Sequence, residues 1–167
     1  MSPRVVLVGP MGAGKTTVAT LLADAWGVSA RDTDADVEAA EGRTISDIFV
    51  DSGEARFREL ERAAVTDALA EHHGVLALGG GAVLDPVTRE LLHDHPVVFL
   101  RVGLSDAVKR VGLGSARPLL LGNVRGRIKA LLDERTPVYE QVATHTVDTD
   151  GRTPEDVARE VLELMNG

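Results

Sequence analysis

The stretch Gly9-Pro10-Met11-Gly12-Ala13-Gly14-Lys15-Thr16 decides the fold of this chain. It has the pattern G-x-x-x-x-G-K-[ST], whose glycines let backbone N–H groups point inward around phosphate oxygens. The apolar run 5–8 precedes it and predicts a buried parallel strand, and the run 18–26 follows it and predicts a helix. Because the N-terminus of that helix adds positive potential, the arrangement predicts a phosphate-binding loop rather than a chance glycine-rich turn.

The polar side chains of this loop indicate what it holds. Lys15 supplies a mobile positive charge for the terminal phosphates of a nucleotide, and the Thr16 hydroxyl is suited to coordinate Mg2+. A nucleotide and a magnesium ion are therefore expected here. The nucleotide-binding residues predicted in this segment are Gly12, Ala13, Gly14, Lys15, Thr16 and Thr17.

The composition limits the remaining possibilities. A chain of 167 residues is long enough for one domain with a substantial core, and its net charge of −8 argues against general nucleic-acid binding. It contains no cysteine, which excludes disulfides and thiolate metal sites, and no apolar run approaches the ~20 residues of a membrane span. We expect one domain over residues 1–167, monomeric and cytoplasmic, with a small-molecule partner and neither nucleic acid nor membrane.

Strand patterns alternate with helix patterns along the chain, which predicts an α/β fold with a parallel sheet covered by helices on both faces. Further strands are predicted at residues 28–32, 75–78, 97–100 and 146–148. Further helices are predicted at residues 35–41, 44–49, 52–72, 107–111 and 124–142, with others beginning at Pro86 and Pro154. Ser105 and Asp106 are expected to cap the helix at 107–111, and His72 is expected to be solvated.

Asp32 ends the predicted strand at 28–32 and Asp34 comes two residues later, so the two carboxylates lie on one face if the backbone is extended. In that arrangement one carboxylate would serve a metal ion and the other a substrate hydroxyl. The alternative is that Asp34 only caps the following helix. Spacing alone leaves the two interpretations equal.

Arg58 lies on a predicted helix with Glu54 and Glu61 at helical spacing on the same face. One interpretation is a solvated row of ion pairs that contributes little to stability. The other is that the carboxylates hold Arg58 rigid, so that its guanidinium can bind an anion with two hydrogen bonds.

Three consecutive glycines, Gly79, Gly80 and Gly81, follow the apolar strand predicted at 75–78. Three glycines raise the entropy cost of folding, so they are usually kept where the backbone approaches another group closely. Contact with a ligand is favoured over a flexible turn.

Residues 112–124 contain three glycines and no clear periodic pattern, which is typical of an active-site lid. Arg117 in this segment is a candidate for contact with the phosphates. If Arg58 and Arg135 face the same pocket, the second substrate is an anion, most simply a carboxylate. A small kinase fits these features better than a GTPase, because the guanine-binding pattern N-K-x-D is missing from the sequence.

Taken together, the motifs resemble the shikimate kinase family along the whole chain. The matching segments are Gly9–Thr16, Asp32-Thr33-Asp34, Gly53-Glu54-x-x-Phe57-Arg58, Leu78-Gly79-Gly80-Gly81-Ala82, Arg117-Pro118-Leu119 and Arg135-x-x-x-Tyr139. The resemblance implies a three-layer P-loop kinase fold with a substrate-binding region at about 33–61 and a lid at about 112–124. It implies ATP-dependent phosphorylation of the 3-hydroxyl of shikimate, on the route to chorismate and the aromatic amino acids.

The resemblance also implies roles for individual residues. Asp34, Lys15 and Arg117 would be catalytic, with Asp34 as the base. The residues implied to bind shikimate are Asp34, Arg58, Gly79, Gly80, Gly81 and Arg135, and those added to the ATP site are Arg110, Arg117, Arg152 and Pro154. Thr16 would bind Mg2+ directly and Asp32 through water. The alternatives are another small-metabolite kinase, such as one for gluconate, and a nucleotide-binding regulator without acceptor chemistry.

Overall fold

The computed structural model of the protein describes residues 2–113 and 124–166. In this part of the chain a five-stranded, fully parallel sheet has the order β2-β3-β1-β4-β5. The strands are β1 (Val5–Val8), β2 (Ala30–Asp32), β3 (Val75–Ala77), β4 (Val97–Arg101) and β5 (His145–Asp148). The helices are α1 (Lys15–Trp26), α2 (Thr33–Glu41), α3 (Ile45–Glu71), α4 (Pro86–Leu92), α5 (Leu104–Leu113), α6 (Val124–Val142) and α7 (Pro154–Asn166), with a short 3₁₀ turn at Ala82–Leu84.

Alternate side chains of the central strands enter two apolar cores, one on each face of the sheet. On β1, Val5 and Leu7 pack into the core that α1, α5 and α7 cover. Val6 and Val8 pack into the core that α3, α4 and the end of α6 cover. This period of two is the geometry of a strand that is buried on both faces. The predicted parallel sheet with helices on both faces is therefore confirmed.

A third, smaller apolar cluster lies apart from the two main cores. It joins Val37 of α2 to Ile48 and Phe57 of α3. The long helix α3 is kinked at Gly53, whose φ of 86° and ψ of 168° are not helical. The two helices predicted at 44–49 and 52–72 are therefore joined at this glycine. The kink places the first turns of α3 against α2 as a separate unit beside the sheet.

Several local predictions need correction. Helix α5 begins at Leu104, so Ser105 and Asp106 lie inside it rather than before the helix predicted at 107–111. Helix α2 begins at Thr33 because Asp32, not Asp34, accepts the capping hydrogen bond. His72 is buried, and its ring nitrogen Nε2 is 3.0 Å from the Val75 carbonyl oxygen. The histidine is buried because the chain turns back into β3 directly after it.

Ligands in parallel sheets bind beyond the carboxyl ends of the strands, and the chain places its polar motifs there. The phosphate-binding loop follows β1, Asp32 ends β2 and Gly79 comes shortly after β3. None of the helices in the described ranges is long and apolar enough to cross a membrane. Most of the predicted lid, residues 114–123 with Arg117, lies outside the described residues.

Candidate active site

The phosphate-binding loop joins β1 directly to α1 and depends on glycine at three positions. Gly9, Gly12 and Gly14 have positive φ angles of 150°, 85° and 88°, which side chains disfavour. Gly9 also lies against the neighbouring strand, since a β-carbon there would stand 2.7 Å from the Leu100 carbonyl oxygen. Gly14 is the N-cap of α1, so the loop ends where the positive end of the helix dipole begins.

Lys15 folds back over this loop. Its ammonium group donates to the carbonyl oxygens of Gly9, at 2.6 Å, and Pro10, at 3.0 Å. Burial lowers the pKa of Lys15 to about 8, although the nearby carboxylates of Asp34 and Asp32 raise it. A cation held in this way is close to the phosphates that the loop would bind, and it can exchange carbonyl oxygens for phosphate oxygens.

Thr16 and Asp32 meet at the start of α1 and the end of β2. The Thr16 hydroxyl donates to Asp32 Oδ2 at 3.0 Å, while Asp32 Oδ1 accepts from the Asp34 backbone N–H at 2.8 Å. The pair offers a hydroxyl oxygen and a carboxylate oxygen, which are the hard ligands that Mg2+ prefers beside phosphates and water. The donor set of these two residues therefore fits a magnesium ion held jointly with a nucleotide.

Asp32 caps α2, so the side chain of Asp34 is not needed as a cap. Asp34 lines a cavity next to the phosphate-binding loop. Burial raises the pKa of Asp34, and the neighbouring charge of Asp32 raises it further, against the opposing effect of Lys15. Gly79 lies directly behind this carboxylate, since a β-carbon on Gly79 would stand 2.5 Å from Asp34 Oδ1. The raised basicity and the exposure to a cavity suit Asp34 to accept a proton from a bound hydroxyl.

Arg58 faces the same cavity from α3. Its Nη1 donates to Glu61 Oε1 at 2.7 Å, and Glu61 is only 3% exposed, whereas Glu54 lies 3.7 Å away and is largely exposed. The predicted arrangement of carboxylates that hold Arg58 is thus present mainly through Glu61. Burial raises the pKa of Glu61 against the lowering effect of Arg58. Gly81 provides room for the guanidinium, as a β-carbon there would stand 2.7 Å from both Nη atoms.

Arg135 enters the same cavity as Arg58, from α6. Its Nε is buried and has no hydrogen-bond partner within the described ranges. Gly80 lies beside it, since a β-carbon on Gly80 would stand 3.7 Å from Arg135 Nη1. A buried guanidinium N–H without a hydrogen-bond partner is costly unless a ligand accepts a hydrogen bond from it. This makes Arg135 a candidate for anion binding.

The cavity formed by these residues has a volume of about 540 Å³, which suits a small metabolite together with terminal phosphates. It brings together residues from five separate segments of the sequence. Its predicted site residues are Gly12, Gly14, Lys15, Thr16, Thr17, Asp32, Asp34, Arg58, Gly80, Gly81 and Arg135. Sequence reasoning did not assign Ile45, Leu131 and Met11 to the site, because isolated apolar side chains carry no chemical signal.

A second cavity of about 200 Å³ lies on the other side of the phosphate-binding loop. Its lining includes Ala13, Arg110, Arg152 and Pro154, which are residues predicted for the nucleotide site. Arg110 donates to the Gly12 carbonyl oxygen at 2.9 Å, and so it connects this cavity to the loop.

The positions of both arginines in this second cavity are fixed by the protein. Arg110 also donates to the Thr149 hydroxyl at 3.1 Å and to the Thr149 carbonyl at 2.9 Å. Arg152 donates to Glu160 at 2.7 Å and to the backbone of Asp148 and Asp156. Thr149 was missed by sequence reasoning, since a lone threonine after a strand has no motif around it.

Comparison with known proteins agrees with this geometry. A model of the shikimate kinase family matches residues 11–166. A shikimate kinase of Salinispora arenicola is 61% identical over 165 residues, which cover 99% of both chains. Another, of Streptomyces avermitilis, is 57% identical over 163 residues, covering 98% of this chain and 95% of the other.

The solved structures point the same way. A shikimate kinase from Acinetobacter baumannii, solved in complex with shikimate, has a TM-score of 0.91 and 35% sequence identity to the chain. The match covers 99% of this chain and 93% of that one. These similarities favour the predicted shikimate kinase over the gluconate kinase and regulator alternatives. The chain therefore belongs to the shikimate kinase family.

Proposed function

We propose that the chain transfers the γ-phosphoryl group of ATP to the 3-hydroxyl of shikimate, giving shikimate 3-phosphate and ADP. The observation that supports this most strongly is the single cavity in which Asp34, Arg58 and Arg135 face the phosphate-binding loop. It combines a base, two cations for a carboxylate and a site for phosphates within reach of one small molecule. The product would enter the synthesis of chorismate and the aromatic amino acids.

The nucleotide would occupy the loop and the smaller cavity beside it. Backbone N–H groups of Gly12, Ala13 and Gly14 with the N-terminus of α1 would hold the phosphates. The side chains of Lys15, Thr16 and Thr17 would complete the phosphate site. The adenine ring of ATP would lie in the cavity lined by Arg110, Arg152 and Pro154, whose flat or apolar surfaces suit an aromatic ring.

Shikimate would occupy the larger cavity with its carboxylate between Arg58 and Arg135. Glu61 keeps Arg58 oriented, and the unpaired Nε of Arg135 gains an acceptor when the carboxylate enters. The backbone at Gly79, Gly80 and Gly81 would form the wall beside the ring. A β-carbon on Gly79 would collide with Asp34, and one on Gly81 would collide with Arg58. This arrangement leaves the hydroxyl groups of shikimate near Asp34.

Asp34 would orient the 3-hydroxyl and accept its proton as the oxygen attacks the γ-phosphorus. Phosphoryl transfer depends mainly on position and charge, so the in-line approach of this oxygen is the main contribution of the acceptor site. Lys15 would neutralise charge on the transferred group. Arg117, in the predicted lid, would add a further positive charge at the phosphates beside Lys15 and Mg2+.

Thr16 and Asp32 would hold Mg2+ together with the phosphates, Thr16 directly and Asp32 through water. The ion would neutralise charge on the β- and γ-phosphates when it is bound. The hydrogen bond between the two residues already brings both oxygens together, which supports this assignment. We further propose one catalytic domain over residues 1–167, with the substrate-binding region at 33–61 and the lid at 112–124.

The protein would act as a cytoplasmic monomer without nucleic-acid or membrane partners. An assay that couples ADP release to a spectroscopic signal tests the proposed activity. We expect turnover that requires both shikimate and Mg2+, with no turnover on gluconate. Turnover on gluconate without turnover on shikimate would contradict the acceptor assignment. ATP binding without ADP release in the presence of shikimate would instead support a regulator.

A further inference from the structure

Tyr139 combines full burial with a hydroxyl group that the proposed reaction does not use. It lies near the end of α6 and is 0% exposed, and its hydroxyl donates to the Gly80 carbonyl oxygen. A hydroxyl buried without a partner is costly, so this hydrogen bond fixes the geometry on both sides. Burial raises the pKa of Tyr139, against the lowering effects of the Arg135 charge and of a side-chain hydrogen bond with Arg135, and the phenol stays protonated at neutral pH.

The ring and the hydroxyl of Tyr139 make separate contacts. The ring packs on Phe99 of β4 with a centroid separation of 5.0 Å, inside the core on one face of the sheet. The hydroxyl reaches out of that core to the glycine segment at 79–81. Because phenylalanine keeps the ring and loses only the hydroxyl, the two contributions can be measured separately.

Gly80 lies between the phosphate-binding loop and α6. A β-carbon there would stand 3.6 Å from the Met11 backbone nitrogen, 3.7 Å from the Gly9 carbonyl oxygen and 3.7 Å from Arg135 Nη1. The N–H groups of Gly80 and Gly81 have no acceptor among the backbone hydrogen bonds of the described residues. Since the peptide is planar and trans, fixing the Gly80 carbonyl also fixes the direction of the Gly81 N–H.

Arg135 and Tyr139 are four residues apart on α6, and so they lie on the same face of that helix. Arg135 enters the cavity, while Tyr139 holds the backbone that forms the adjacent wall. One helical turn therefore sets the spacing between an anion-binding side chain and the glycine segment. That spacing determines whether a small ring fits between them.

We infer that Tyr139 is a positioning residue of the acceptor site, which holds the Gly80 carbonyl so that the pocket is formed before shikimate binds. This inference rests on the proposed roles of Arg135 and the glycine segment. Tyr139 touches neither the nucleotide cavity nor the acceptor cavity, so it acts only through the residues it holds. Its removal should affect acceptor binding and leave nucleotide binding nearly unchanged.

The test compares Tyr139→Phe with Phe99→Leu in the full-length protein. Calorimetric titration gives the shikimate affinity, steady-state kinetics give kcat and the two KM values, and thermal unfolding gives Tm. Tyr139→Phe should weaken shikimate binding about five- to tenfold, while the KM for ATP stays within about twofold. Phe99→Leu disturbs the same core without touching Gly80, so it should lower Tm and leave the shikimate affinity unchanged.

The outcomes separate the two proposals. Equal shikimate affinity in the wild-type protein and Tyr139→Phe would overturn the positioning role while leaving the proposed function intact. Equal losses for shikimate and ATP, or the same loss in Phe99→Leu, would assign Tyr139 to general core packing and also overturn it. A wild-type protein that binds no shikimate would contradict the proposed function, and this inference with it.

Discussion

Gly79 and Asp34 are in such close contact that a β-carbon on Gly79 would stand 2.5 Å from Asp34 Oδ1. A methyl group there must displace the carboxylate, because the backbone of Gly79 is held by the Thr33 hydroxyl at 3.2 Å. Gly79→Ala should therefore lower kcat by about tenfold to 100-fold, as small displacements of reacting groups do.

The comparison for this variant is Gly80→Ala, whose methyl group would meet nothing closer than 3.6 Å. It should lose distinctly less activity, and the crystal structure of Gly79→Ala should show a rotated Asp34 side chain. Equal losses in the two variants would show that the glycine segment, rather than the Asp34 contact, is the sensitive feature.

Asp34→Asn should retain ATP binding and lose turnover by roughly 100-fold to 10,000-fold, the range for a general base.

Because burial and Asp32 raise the pKa of Asp34, the wild-type rate should begin to fall at a higher pH than for an ordinary aspartate as the solution is made more acidic. The raised pKa means that protonation favours the folded state, so Asn should raise Tm at neutral pH and gain less as the pH falls. Rates measured against pH test the first expectation, and thermal unfolding of Asp34→Asn at several pH values tests the second. Near-normal turnover of Asp34→Asn would remove the base role.

Arg58→Ala should raise the KM for shikimate by roughly 30-fold or more, since it leaves a charged carboxylate without its partner. The KM for ATP should change little. Arg56→Ala is the matched control, because Arg56 lies two residues away on the same helix and pairs with Glu59 at the surface. A comparable effect in both variants would indicate damage to α3 rather than loss of a carboxylate ligand.

Asp32→Asn should raise the Mg2+ concentration needed for half-maximal activity about 10- to 100-fold, as loss of an outer-sphere ligand does. Asparagine still caps α2 through its side-chain oxygen, so the stability should be nearly unchanged. Asp85→Asn, at the N-cap of α4, makes the same change away from the site. If both variants show the same Mg2+ requirement, Asp32 has no role at the metal.

The affinity of the free enzyme for ATP should fall as the pH rises through about 8, because Lys15 loses its charge there. The charged form dominates below this pH, so the affinity for ATP, measured by calorimetric titration, should level off on the acid side of the transition. Lys15→Arg should remove the transition, since arginine stays charged. A flat profile for the wild-type protein up to pH 9.5 would contradict this prediction.

Local chemistry explains why much of the fold was predictable. The phosphate-binding loop combines glycines with positive φ, a β-branched strand and a helix start, and all of these signals lie within one short segment. The break near Gly53 was visible in the same way, although the sequence did not reveal that one kinked helix continues through it. The start of α5 was missed because no strong capping residue precedes Leu104.

The tertiary contacts of the site were harder to predict from the sequence. Residue spacing left open whether Asp34 caps α2 or faces a ligand, and the decision came from Asp32, whose side chain takes the capping bond. Spacing placed Glu54 and Glu61 equally beside Arg58, but only the fold buries Glu61. The resemblance to a family, rather than periodicity, joined Arg58 to the distant Arg135.

The small apolar cluster of Val37, Ile48 and Phe57 has a consequence for how this protein can diverge in evolution. Substitutions in α2 and the first turns of α3 act on this cluster, while the sheet and the nucleotide half pack in two other cores. Packing changes from substitutions in these two helices therefore fall outside the two cores of the sheet. A lineage can therefore change the α2 and α3 side of the acceptor site while the phosphate-binding loop stays folded.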